Sequence, residues 1–302
     1  MKGYKAFKKG LICDPTGKNP FQYAENTIFE TNTAELCKSG FHFCKNPFYV
    51  LDCYPLIDND GKIVEFAEVE ALDDVKTNNI KYCTKKLKVG KKISFSALIQ
   101  AGINFELENK LIKNSQIQIA NKDYARVSKN DDYVIISNNG DFARISSIGS
   151  SALINNSGIS VQISHSGNSA KICNTGNYTK IGSTGNTAQI INSGNSVQIC
   201  NNGYSTKISS SGDYVHICSS GDFARITSNG KHSIICCTGN NSSAKGRVGN
   251  WITLSEWKYI KEIQNGIWAC KTEFVDGEKI KEDTFYELKN GEFVESKMVN
   301  RI

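Results

Sequence analysis

The sequence predicts a mainly β protein built around a parallel β-solenoid, and three observations carry that prediction. Glycine recurs at 140, 149, 158, 167, 176, 185, 194, 203, 212, 221, 230 and 239, a spacing of nine throughout. With this Gly as position zero, isoleucine fills position five of every unit from Ile145 to Ile235. Position three is small or β-branched, as in Ala143, Val161, Ala170, Thr179 and Val197. Strand side chains alternate with period two, so positions three and five share the inner face, while two, four and six share the outer one. A nine-residue unit cannot bury its one Ile alone. Units must therefore stack, each strand pairing in parallel with its equivalent one turn on, about 4.8 Å away. The small third position implies two sheets close together, which favours two nonapeptide strands and eighteen residues per turn over a triangular coil of three. Glycine at the corners is expected to supply positive φ, and the Asn-rich turns to close through their own hydrogen bonds. Lys122 and Asp131 take the Gly slot at the start of the frame. The frame then holds fourteen units over about 122–247, or about seven turns and a rod of roughly 34 Å.

Residues 1–112 read as an N-terminal α+β domain. Strands are expected at 3–7, 41–44, 63–71 and 85–89, with helices at 46–52 and 94–101. The solenoid occupies 113–248. Residues 249–302 hold all three tryptophans, Trp251, Trp257 and Trp268, together with turn signals at Asp276-Gly277 and Asn290-Gly291. The second of these marks a hairpin. A small C-terminal β cap follows, its large aromatics covering the last open edge of the coil.

Composition excludes several classes. No stretch approaches the roughly 18 uncharged apolar residues of a membrane helix. The first residues, Met1-Lys2-Gly3-Tyr4-Lys5, lack the apolar core of a secretory leader, so a soluble chain retained in the cytoplasm is expected, with no membrane partner. An odd cysteine count, 11, then fits reduced thiols. Cys200, Cys218 and Cys236 recur at spacing eighteen and read as small packing residues. Around Cys37, His42, Cys44 and Cys53 the paired C-x-x-C knuckles of structural zinc are missing, and His42 reads as a hydrogen-bonded core residue. Calcium-binding β-rolls place Asp in their turns, whereas Asn168, Asn177, Asn186 and Asn195 follow the Gly here. Neither a metal nor a cofactor is expected, and the sequence presents no catalytic constellation.

Charge points to a partner. The net +6 sits on the repeats: residues 113–248 carry 12 Lys+Arg against 6 Asp+Glu, whereas residues 1–112 carry 16 against 14 and residues 249–302 carry 8 against 10. Position four holds Arg126, Arg144, Lys171, Lys180, Lys207 and Arg225, with His216 at the same place. Position two holds Tyr124, Tyr133, Phe142, Tyr178, Tyr214 and Phe223. Phe142 with Arg144, Tyr178 with Lys180 and Tyr214 with His216 repeat every thirty-six residues on one outward face. Lys171 and Lys207 repeat on the opposite sheet. Cations on a rigid lattice neutralise phosphates, and aromatic faces stack bases. The plainer role for both is to keep exposed strands from pairing edge to edge.

Three segments carry a resemblance: Gly40-Phe41-His42-Phe43-Cys44 ahead of the repeats, Trp251-Ile252-Thr253-Leu254-Ser255-Glu256-Trp257, and the tail from Val275-Asp276-Gly277-Glu278-Lys279-Ile280 to Asp283-Thr284-Phe285-Tyr286. Together with the repeats they resemble a family of uncharacterised phage and prophage proteins. That resemblance implies a mobile-element origin and a bacterial host cell, and supplies no catalytic residues. The expected function is that of a non-enzymatic binding protein blocking a host protein or ribonucleoprotein complex, such as a nucleic-acid-guided defence nuclease, in the manner of anti-CRISPR proteins. A structural virion component is the alternative of a second class. A third is an enzyme: a basic-aromatic first strand, the strand around His42 and the acidic strand holding Glu68 resemble the order of elements in ADP-ribosyltransferase-like folds.

Overall fold

The structure, a computed structural model, describes residues 1–14, 20–109, 116–260 and 264–296. The chain divides into two compact units, Met1–Ser115 and Gln116–Ile302. The expected boundary at residue 112 lies outside the described residues. The C-terminal strands belong to the same compact unit as the coil.

In the first unit, β1 (Lys2–Phe7), β2 (Ile12–Cys13), β3 (Phe21–Gln22), β4 (Thr27–Glu30), β5 (Phe41–Phe43), β6 (Glu65–Ala71), β7 (Val75–Thr77), β8 (Tyr82–Thr84) and β9 (Lys86–Ile93) accompany two helices, α1 (Pro47–Cys53) and α2 (Phe95–Asn109). One antiparallel sheet runs β1-β6-β9-β4 and a second β5-β8-β7. The strands around 3–7, 41–44, 63–71 and 85–89 and helix α1 fall where the sequence placed them, whereas α2 starts as expected but continues past residue 101 to Asn109. Strands β2, β3, β4, β7 and β8 are too short to show a period. Asn46 explains the start of α1: its Oδ1 accepts the Phe48 N–H at 2.9 Å, and Pro47 opens the first turn.

The second unit is a solenoid of two sheets. A four-residue strand begins every nine residues, from β10 (Ile117–Ala120), β11 (Arg126–Lys129), β12 (Ile135–Asn138) and β13 (Arg144–Ser147) through β23 (Ile234–Cys237) and β24 (Ser243–Gly246). Strands pair in parallel with the next but one, Ile117↔Ile135 and Arg126↔Arg144, so a turn takes eighteen residues and the triangular coil is excluded. The even-numbered strands β10 to β24 form one sheet. The odd-numbered strands from β11 to β23, extended by β25 (Trp251–Ile260), form the other, which makes eight parallel strands in each. The coil thus has about eight turns rather than seven. Strand β10 precedes the glycine frame, and β25 continues the pairing with Ile234↔Trp251, one residue short of the repeat. Positions three and five form one continuous core in which Ala143, Ile145, Ala170, Ile172, Val197 and Ile199 are almost wholly buried.

Corner chemistry differs from the expectation. Position two, not glycine, takes the left-handed conformation, with φ of 59° at Tyr124, 56° at Phe142, 56° at Tyr178 and 57° at Tyr214. Glycine is required for space. A Cβ on Gly176 would lie 1.9 Å from the Gly158 carbonyl oxygen one turn below, and one on Gly194 would lie 2.0 Å from that of Gly176. Lys122 and Asp131 escape this because they open the two columns; the collisions fall on Gly140 and Gly149 above them. Corner bonds run within a turn, as expected from the Asn-rich corners, and also between turns. The Oδ1 atoms of Asp123, Asp132, Asp141, Asp213 and Asp222 each accept the N–H of the residue eighteen further on, at 2.6–2.9 Å. Inside one corner a buried ladder climbs from Asn138 to Asn156, Asn174 and Asn192. Each Nδ2 donates to the next rung's oxygen at 2.6–3.0 Å, and also to a glycine carbonyl. Such paired amides satisfy the backbone groups that a corner leaves open.

Both sheets end in antiparallel strands. Strand β26 (Gln264–Phe274) pairs with β25, and β27 (Tyr286–Lys289) pairs with β24 and with β28 (Glu292–Glu295). The hairpin at Asn290-Gly291 forms with positive φ at both residues. Covering by tryptophan is corrected: Trp251 and Trp268 are exposed, and only Trp257 is tied down, its Nε1–H donating to the Thr238 carbonyl at 2.8 Å.

Candidate functional site

The two sheets of the coil differ on their outer sides. In the even-numbered sheet the outward residues Ile135, Leu153, Cys173 and Ile191 are buried. Lys171, Lys207 and Arg225 lie at position four of this sheet, and each is engaged in a contact within the chain. Arg225 stacks with its guanidinium carbon 3.6 Å from the Phe285 ring centroid. The odd-numbered sheet is open. Its position-four column reads Arg126, Arg144, Gln162, Lys180, Gln198, His216 and Ile234 on successive rungs, and every one of these residues is exposed. Among the described residues Arg126, Arg144 and Lys180 form no ion pair.

Beside this column runs the corner that carries Tyr124, Phe142, Ser160, Tyr178, Ser196, Tyr214 and His232, all with positive φ. Their left-handed backbone turns the side chains outward at the edge of the open sheet. Position two is thus a corner position rather than part of the strand face, since β11 and β13 begin at position four. From Tyr124 to Tyr214 each of these corner N–H groups is held by a carbonyl of the next turn, as Tyr124 by Asp141 at 2.7 Å and Tyr178 by Asn195 at 3.0 Å. Tyr124 and Phe142 stack 5.1 Å apart and 11° from parallel, and Tyr214 stacks on His232 at 5.2 Å. The in-register lattice places these rings one rung apart, where offset stacking is favourable.

Two shallow grooves follow. One, of about 290 Å³, is bounded by Tyr124, Arg126, Phe142, Arg144, Ser160 and Gln162. The other, of about 600 Å³, runs along the sheet from Arg126 and Arg144 past Lys180 to Gln198 and Cys200. The structure therefore assembles Arg126, Arg144, Lys180 and His216 with Phe142, Tyr178 and Tyr214 on one open side. Lys171, Lys207 and Arg225 stand apart on the other sheet. Tyr133 and Phe223 belong to the opposite corner column.

The cysteine column is corrected as well. Cys200 and Cys218 are exposed and Cys236 half-exposed at position six of the open sheet, so they are not packing residues. Their sixth position already placed them on the outer face; what spacing did not show is that this sheet is the open one.

A separate cavity of about 520 Å³ lies in the first unit, walled by Lys5, Tyr23, His42, Cys44, Cys53 and Lys81 among others. Lys5 is buried, donates to the His42 carbonyl at 2.7 Å and sits 5.5 Å from the Tyr23 ring centroid. Burial pushes its ammonium below the ordinary lysine value. The sequence reading passed over Lys5, although its place between Gly3 and Phe7 on a period-two strand marks it as inward. Nε2 of His42 accepts the Cys37 N–H at 2.9 Å. Burial, followed by the Lys5 charge, lowers the His42 pKa. Glu68 points to solvent from β6 and does not line the cavity, so His42 and Glu68 do not share a site.

The model of a domain of unknown function, DUF7666, matches residues 1–101, which is the unit holding this cavity. No curated protein and no solved structure matches the chain.

Proposed function

We propose that the protein is a non-enzymatic binding protein whose open solenoid sheet lies along an extended anionic partner. The observation that carries this reading is the exposed column Arg126, Arg144 and Lys180 beside the left-handed aromatic corner. Three cations that form no ion pair among the described residues, held on a rigid lattice, favour phosphates, and the adjoining rings accept unstacked bases. The same architecture maintains the site: the corner bonds between turns fix the rungs, so little ordering remains to be done on binding. The resemblance to phage proteins supports a particular partner class, a ribonucleoprotein of the bacterial host such as a guided defence nuclease, which binding along this face would obstruct.

Tagged wild-type protein and the Arg126→Glu/Arg144→Glu variant, each passed over bacterial lysate, test the reading. A guided nuclease complex retained by the wild type and lost by the variant is the expected result. Equal retention by both, or recovery of the chain in purified virions with no host complex, would overturn it.

A further inference from the structure

The geometry around α1 points to chemistry that the binding reading does not use. Cys44 follows β5, its backbone fixed to β1 by paired hydrogen bonds with Tyr4 of 2.7 and 2.9 Å. Cys53 closes α1, so the Asn46 cap that starts the helix also sets the distance between the two cysteines. The Cys44 thiol donates to Cys53 with the sulfurs 4.0 Å apart. A disulfide requires about 2.05 Å, so side-chain rotation has to supply the remaining approach. Both cysteines line the 520 Å³ cavity, whose wall includes Lys5 and Lys81.

We propose that Cys53 and Cys44 form a thiol–disulfide exchange pair whose substrate is a low-molecular-weight disulfide entering this cavity. The Cys53 thiolate attacks one sulfur of the substrate, forming a mixed disulfide and expelling the first thiolate. Cys44 then attacks the Cys53 sulfur, the intramolecular disulfide closes, and the second thiol leaves with the proton from Cys44. The substrate is reduced by two electrons to two thiols, and the cysteine pair is oxidised by the same two.

Local electrostatics divide the roles in this order. The hydrogen bond from Cys44 draws the Cys53 thiol below its ordinary value, and Lys81 adds to the effect. The same bond, followed by burial, pushes Cys44 up. A thiolate attacks and a thiol does not, so Cys53 is the entry point and buried Cys44 the resolving group. Cys83, the other buried thiol nearby, is occupied in donating to the Ser39 carbonyl at 3.0 Å.

The test uses the full chain, oxidised glutathione as the probe, and peptide mapping by mass spectrometry. The wild type is expected to lose two hydrogens in a peptide pair linking Cys44 to Cys53, releasing two molecules of reduced glutathione at that site. Cys44→Ser is expected to hold a lasting glutathione adduct on Cys53, and Cys53→Ser to leave Cys44 unmodified. The rate of the first step, read as release of the first molecule of reduced glutathione, should be half-maximal below the ~8.5 of an ordinary thiol. A lasting adduct on wild-type Cys53, or no Cys44–Cys53 linkage at any glutathione concentration, overturns the proposal. The wild-type map decides the matter even where a serine variant fails to fold.

Discussion

Gly176 and Gly182 lie six residues apart and show what the lattice demands of single residues. Gly176 packs directly on the carbonyl of Gly158 one turn below, and no side-chain rotation relieves a 1.9 Å approach to backbone. Gly176→Ala is expected to cost about 3 kcal/mol or more, at the top of the range for overpacking. Gly182 faces outward, and an added Cβ would meet nothing nearer than 3.9 Å. Gly182→Ala should be neutral or stabilising by about 0.5 kcal/mol, through the unfolded chain. Urea unfolding of the two variants checks the pair; equal effects would mean that the glycines serve turn conformation rather than space. The period of nine was legible because each glycine of the series from Gly140 to Gly239 meets the same obstacle, the backbone of the turn before it. Its cause was not, because one repeat read alone contains no neighbouring turn.

His165 is the second residue with a sign to test. It is buried in the corner column and its Nε2–H donates to the Gly167 carbonyl at 2.5 Å. Burial lowers its pKa below the ordinary value of about 6.5. The unfolded chain therefore takes up a proton at a pH where the folded chain does not. Its contribution to stability is complete above about pH 6.5 and declines as the pH falls toward the folded-state value. His165→Asn places at this rung the residue found at Asn201, which makes the equivalent bond to Gly203 at 3.3 Å. Stability measured from pH 7.5 to 5 should fall less steeply in this variant. An unchanged slope would show that His165 is not the group responsible.

At the scale of the element, the asparagine ladder holds one edge of the coil. Removing Asn174 takes away the donors to Gly176 and Asn192 and the acceptor for Asn156. Asn174→Ala is expected to cost roughly 2–3 kcal/mol, the range for buried polar groups left unsatisfied. Asn174→Ser, the residue that replaces the ladder at Ser210, should cost less. Denaturant titration distinguishes them. The strands themselves were legible from Ile at position five and the small residue at position three. The outer sides were less so: Lys171 and Arg144 occupy the same repeat position, yet only Arg144 stands on the open sheet. The repeat does not encode which cations are covered, because the covering residue can lie outside the repeat, as Phe285 does over Arg225. The aromatic corner was misplaced by two residues for a similar reason. Period two suggests a strand at Phe142, whereas its φ of 56° puts it before the strand begins.

Across the solenoid, one sheet with buried outward residues and one open sheet together make a one-sided surface. The net +6 of the chain is a poor guide to that surface, because half of the position-four cations are used internally and half are not. Three of them remain on the open side, next to a row of rings at fixed spacing. Binding of single-stranded RNA to purified protein, followed by fluorescence anisotropy from 50 to 200 mM salt, tests this account most directly. Release of counterions by three cations gives a log–log slope of about −2 for a single strand, a loss of roughly 20-fold over that range. Arg126→Glu/Arg144→Glu should abolish binding, whereas Lys88→Glu/Lys91→Glu, with the same change of net charge on exposed residues of the first unit, should leave most of it. Equal losses in the two variants, or no salt-dependent affinity in the wild type, would contradict the account.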